Sequence, residues 1–151
     1  MKRLKVILTA FFLSASVFAQ DNLNERADNI LGEYHSVYKQ DEGRFVFTKN
    51  SDGTYDCTTT WSKNSVDPAT GKKYLDVKNP DKSLRNTPCD RIKIIKGLRY
   101  NAEKKQWDDA RIYDPTRGIT AKVTVKFTSD GRLSLRGSVL GIGETVYWDK
   151  L

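Results

Sequence analysis

The chain has little of what most catalytic sites are built around. It holds one histidine, His35, two cysteines and one methionine in 151 residues. A Ser-His-Asp arrangement or a histidine-rich metal site would rest on that single ring, and nothing is spaced to it in a recognisable pattern. Cys57 and Cys89 lack the C-x-x-C spacing of redox enzymes and zinc ribbons. No helix follows Gly141-Ile142-Gly143, which excludes a phosphate cradle and leaves a tight hairpin. No basic run exceeds Lys72-Lys73 or Lys104-Lys105, so the clustered patch that nucleic-acid binding needs is missing. These absences point away from catalysis, metal ions, cofactors and nucleic acid.

Long apolar runs are also scarce, and the one present is at the N-terminus. Lys2, Arg3 and Lys5 form a positive region, Val6 to Phe18 is apolar apart from Thr9, Ser14 and Ser16, and Val17-Phe18-Ala19 ends on small residues. The run falls short of the ~20 residues a spanning helix requires. It reads as a signal peptide over residues 1–19, cleaved after Ala19. The expectation is a periplasmic or secreted protein with no stable membrane anchor once the signal is removed. Removal takes away three cations and no carboxylate, lowering the net charge from +7 to +4. Residues 20–151 suffice for one domain with a real core and not for two.

What the chain does have is alternation. Ile119, Ala121, Val123, Val125 and Phe127 are apolar, whereas Thr120, Lys122, Thr124, Lys126 and Thr128 between them are polar. After Ser129-Asp130-Gly131 the pattern resumes with Leu133, Leu135 and Val139 against Arg132, Ser134, Arg136 and Ser138. A period of two buries one face of a strand and wets the other. Similar segments cover 33–38, 44–49, 54–61, 92–100, 107–113 and 144–149. Short turns between them imply antiparallel neighbours. Eight such strands predict an up-and-down barrel of the lipocalin or streptavidin type, with a β-sandwich as the alternative. A short N-terminal helix is expected ahead of them, capped by Asp21 or Asn22, with Leu23, Ala27, Ile30 and Leu31 forming one stripe.

Residues 62–91 interrupt the rhythm with a long polar loop containing Pro68, Pro80 and Pro88, and loops of that length are commonly binding loops or lids. Asp76, Asn79, Asp81 and Arg85 are its candidate functional residues. Asn79-Pro80-Asp81 reads equally as a rigid turn, and the set lacks the glycine and glutamate of an EF-hand. Cys57 and Cys89 form a disulfide only if the loop folds back on its strand, which the sequence leaves open. The aromatic residues, spread over nearly every strand, suit either a filled core or the wall of a ligand cavity. Trp61, Trp107, Tyr113, Asp114, Arg136 and Trp148 are the candidate ligand-binding residues.

The segments IYDPTRG (112–118) and LSLRGSVLGIGETVYW (133–148), with DVKNPDKSLRNTP (76–88) upstream, resemble domain-of-unknown-function family 2147. The resemblance covers nearly all of the chain after the signal. It implies a small exported bacterial protein, a lipocalin-like barrel and no established activity. Two positions depart from the family pattern: Glu144 stands where arginine is common, and Asp109-Ala110 replaces a glycine pair. The resulting expectation is an exported, non-enzymatic barrel. Its partner is a small apolar or amphipathic ligand, or it serves as an envelope accessory module. A hydrolase using Asp76 or Asp114 as general base, or a protein–protein module with a filled barrel, are the alternatives.

Overall fold

Alternation along the chain becomes alternation across a wall. The computed structural model describes residues 22–151; the proposed signal peptide and its cleavage point lie outside them. The strands are β1 (Gly32–Tyr38), β2 (Asp41–Lys49), β3 (Tyr55–Ser62), β4 (Lys93–Asn101), β5 (Gln106–Asp114), β6 (Ile119–Phe127), β7 (Leu133–Val139) and β8 (Ile142–Lys150). Each pairs with the next, and β8 returns antiparallel to β1 through Tyr34↔Lys150, His35↔Asp149 and Ser36↔Trp148. The sheet is a closed barrel, which leaves no edge strand to protect and sets the sandwich alternative aside.

Register defines the inner face. Phe47 pairs with Cys57, Cys57 with Ile95, and Ile95 with Ile112. Ile112 then pairs with Ala121, Val125 with Leu135, and Leu133 with Trp148. Most of these side chains belong to one buried cluster that includes Tyr34, Tyr55, Leu98, Trp107 and Phe127. Bulges break the parity at four places, two of them between β3 and β4, beside Tyr55, Cys57 and Thr58. On β3, Phe45 pairs with Thr59 but Arg44 pairs with Trp61, so Thr60 is the extra residue. On β5, Trp107 faces Val125 and Ala110 faces Val123, and Asp109 takes φ 61°. That left-handed backbone is where a glycine would ordinarily serve.

The expected N-terminal α-helix is replaced by two 3-10 turns, Leu23–Glu25 and Ala27–Ile30, separated by an extended Arg26. Asn22 caps the first of them, its side chain accepting the Asn24 amide. The barrel competes for the carbonyls a helix would use. Tyr100 donates to Asn24 O, the Trp107 indole to Ala27 O, and Tyr34 to Ile30 O. Asn24 also accepts the Phe127 amide and donates to the Phe127 carbonyl, acting as one more strand residue. This segment plugs one end of the barrel, beside the turns at 50–54, 102–105 and 128–132.

The opposite end is the mouth. It carries the turns at 39–40, 115–118 and 140–141 and the long connection between β3 and β4, residues 63–92. That connection is ordered by bridges Val66↔Lys73 and Leu75↔Pro88 and by 3-10 turns Lys82–Leu84 and Cys89–Arg91. The two cysteines are free. Cys57 is buried on the inner face of β3, whereas Cys89 is half-buried in the 3-10 turn at the end of the long connection.

Candidate functional site

Size decides where the barrel is full. Below mid-height the inner positions carry Tyr34, Phe47, Trp107, Phe127, Leu133, Leu135 and Trp148, all essentially excluded from solvent. The rings interlock: Tyr34 meets Phe47 edge-on at 5.7 Å, and Trp107 meets Phe127 edge-on at 5.8 Å. Such packing leaves no room for a ligand.

Toward the mouth several inner positions are small: Ser36, Gly43, Ala110, Ala121 and Gly137. A side chain built on Gly137 would place its Cβ 3.6 Å from both Ala121 Cβ and Ile112 Cγ2, ordinary contact distance. Phe45, Ile112, Ala121, Gly137 and Val146 sit on the inner face yet remain partly accessible. An inward residue that still meets solvent marks an opening, so these positions line a shallow cup. Phe45 forms its floor, stacked on Trp148 at 4.2 Å with the rings 9° from parallel. The two best-formed concavities among the described residues lie elsewhere, flanking the closed end, at 99–109 and at 128–132 with Tyr147.

A second constellation ties the long connection down beside the cup. The Asp76 carboxylate, only 2 % exposed, accepts the Tyr113 hydroxyl at 2.7 Å and the Asn79 amide at 2.7 Å, one on each oxygen. Arg85 Nε donates to Asn79 O at 2.8 Å, and Lys78 Nζ donates to Thr116 O at 2.6 Å. Gly118, at φ 68°, fits against Lys78 so closely that a Cβ would lie 2.5 Å from its carbonyl oxygen. Burial, then the hydrogen bond to Asp76, push the Tyr113 phenol above its ordinary range. Asn79 of NPD, Arg85 and Tyr113 of YDP thus join Asp76 in one latch. Asp81 caps the turn that follows, its carboxyl held low by the Ser83 hydroxyl and amide.

The remaining candidates scatter. Trp107 is at the closed end, its indole N–H on Ala27 O. Trp61 lies on the outer wall, 41 % exposed, with the Arg44 guanidinium 6.0 Å from its ring centre. Trp148 is a core residue that reaches the cup only through Phe45. Asp114 holds its own turn, accepting from Thr116 N, Arg117 N and Arg117 Nε. Arg136 is exposed on the outer wall, its guanidinium lying on Gly143. A general base needs a lone pair that substrate or water can reach. Asp76 has both oxygens occupied and is buried, and Asp114 is engaged by Arg117. His35 bonds Glu42 at 2.9 Å on the outer wall. Among the described residues, no three His, Cys, Asp or Glu side chains gather closely enough to hold a metal ion. The cup residues carry no chemical signature in sequence. The one signal available was Gly137, a glycine on the inner face of an otherwise well-formed strand.

No curated protein matches the chain at a significant level. Among solved structures the barrel is similar to protein HP1028 from the human pathogen Helicobacter pylori, described as belonging to the lipocalin family. The two superpose with a TM-score of 0.64 at 23 % identity, covering 81 % of this chain and 82 % of that one. At that identity the likeness establishes the lipocalin-like fold alone. The family model for uncharacterized proteins conserved in bacteria, DUF2147, matches residues 32–150, from the start of β1 to the end of β8. The chain belongs to that family.

Proposed function

We propose that this protein is an exported carrier or sensor that binds a small, partly apolar molecule in the cup at the mouth of its barrel. The observation that carries this reading is the partly accessible inner surface of Phe45, Ile112, Ala121, Gly137 and Val146. Those positions face inward, yet the barrel's own residues cover them only in part. Covering about 300 Å² of ligand there contributes roughly 7 kcal/mol before association costs, which sets a micromolar ceiling on affinity. The ligand is held at the mouth, above the aromatic floor, because the lower half is filled. Export is supported by the sequence pattern of residues 1–19, and the protein recovered from the envelope or medium is expected to begin at Gln20 by intact mass.

The test is occupancy of the cup. An environment-sensitive naphthalene dye should bind the wild-type protein with micromolar affinity. It should quench Trp148 in a variant that keeps only that tryptophan (Trp61→Phe, Trp107→Phe). Gly137→Leu places an isobutyl group in the cup and should abolish binding while the thermal midpoint is kept. Equal dye binding by wild type and Gly137→Leu would refute the site. A second reading, docking on another surface, is favoured by a separate observation at the rim.

A further inference from the structure

The hairpin joining β7 to β8 breaks two rules at one residue. Leu140 takes φ 51° and Gly141 φ 81°, between the closing pair Val139↔Ile142. Two consecutive positive φ values make the tight turn that asparagine, aspartate or glycine normally fills. A leucine there is strained, and this one is also 98 % exposed. Ile142 is 83 % exposed, Val37 62 % and Val139 45 %. The other hairpin tips, at 39–40, 50–54, 102–105, 115–118 and 128–132, are mostly polar. Within the described chain the strained leucine gains nothing in packing, which is the mark of a residue kept for contact with something else.

The wall beside this tip is cationic. Arg111, Lys122 and Arg136 are exposed on the outer face of β5, β6 and β7. Arg111 and Lys122 stand directly opposite one another, and Lys122 pairs with Ser138 one position from the tip strand's end. Like charges facing across a ladder repel. No carboxylate among the described residues forms an ion pair with any of the three, whereas Lys39, Lys63, Arg99, Arg117 and Arg132 each have one. Arg111 is held only by Thr120. Glu144, on the tip's own strand, is matched by Lys39 at 3.8 Å. An apolar finger flanked by unneutralised cations is complementary to one surface: an apolar layer beneath a sheet of negative charge.

We propose that the mouth end docks on an anionic lipid bilayer, with Leu140, Val139 and Ile142 entering the headgroup layer and Arg111, Lys122 and Arg136 against the lipid phosphates. The geometry stands independently of the cup, though it would set the cup facing the source of an apolar ligand.

The test uses protein recovered from the envelope or medium of expressing bacteria, mixed with vesicles of phosphatidylcholine alone or with one-third phosphatidylglycerol. Wild type should co-sediment at least tenfold more with the anionic vesicles, and this excess should fall several-fold between 0.1 and 0.5 M NaCl. Leu140→Asn should lose at least fivefold of the binding while its thermal midpoint stays level or rises, since asparagine suits the turn. Lys122→Glu should remove the preference for phosphatidylglycerol. Because the variants share the wild-type N-terminus, any contribution from residues 1–21 cancels. Binding unchanged in Leu140→Asn, or equal on both vesicle types, overturns the proposal. So does a Leu140-dependent dimer in sedimentation equilibrium without vesicle binding, which would make a second copy the occupant. Vesicle binding lost with dye binding intact in Leu140→Asn would separate failure of docking from failure of the cup.

Discussion

The Tyr113 hydroxyl donates to the buried Asp76 carboxylate at 2.7 Å across 37 positions of sequence, fixing the long connection to β5. Tyr113→Phe leaves that carboxylate oxygen without its donor where water does not easily replace it. The loss should cost about 1–3 kcal/mol. The effect should concentrate in residues 63–92, seen as faster proteolytic nicking there and faster amide exchange at Asp76 and Asn79, with the strands' exchange nearly unchanged. Uniform acceleration over the whole barrel would show that the bond supports the fold rather than the loop.

The plug at the closed end makes a sharper claim. Asn24 exchanges two hydrogen bonds with the Phe127 backbone, at 2.8 and 2.9 Å, and is 4 % exposed. Asn24→Ala leaves both backbone groups of Phe127 unpaired at the end of β6. The expected cost is about 2–4 kcal/mol, read as a lower urea midpoint with unchanged m. Asn24→Asp keeps the acceptor and loses the donor, so it should fall between the two.

Much of the fold was legible because a period of two survives any amount of surface variation. The expected strands at 119–127 and 133–139 match β6 and β7, and the short turns required the antiparallel closure. Bulges were where the reading slipped. Tyr55, Cys57, Thr59 and Trp61 share a parity in sequence, but the extra residue Thr60 turns Trp61 outward beside Arg44. Asp109 stands where the family resemblance places glycine, and its positive φ shows why a glycine is useful there. Of the N-terminal stripe, Ala27, Ile30 and Leu31 meet the core but Leu23 is exposed, and the barrel's Tyr34, Tyr100 and Trp107 claim the carbonyls that an α-helix would have used. The latch residues were visible as a motif, but only folding shows that they bond to one another. The cup was not legible, because its lining is defined by small size and position rather than by chemistry.

The cysteines test the packing directly. Burial pushes the Cys57 thiol far above its ordinary range, and burial with the nearby Asp76 and Asp90 charges raises Cys89 less severely. Native protein should therefore release at most one equivalent of thiolate to Ellman's reagent at pH 8, slowly and from Cys89, and two equivalents in 6 M guanidinium. Absence of free thiol in denaturant would mean that the two are joined in the native protein, requiring the 63–92 connection to reposition.

Alkali should unfold the barrel through three phenols. Tyr34, Tyr55 and Tyr113 are all held above the ordinary 10.0, each chiefly by burial. Asp28 reinforces this at Tyr55 and Asp76 at Tyr113. In the unfolded chain they ionise near 10. The folded state therefore binds more protons than the unfolded state above that pH, and stability falls as pH rises. The contribution is complete below pH 10 and is lost progressively as pH climbs toward the raised folded values. The urea midpoint should be flat in this respect between pH 8 and 9.5 and should decline between pH 10 and 12. Absorbance at 295 nm should show the phenols of Tyr34, Tyr55 and Tyr113 ionising only with loss of β-sheet circular dichroism. Tyr113→Phe should lower stability at every pH and make the alkaline decline shallower. An alkaline slope unchanged in Tyr113→Phe would mean that its phenol is not held neutral by the Asp76 latch.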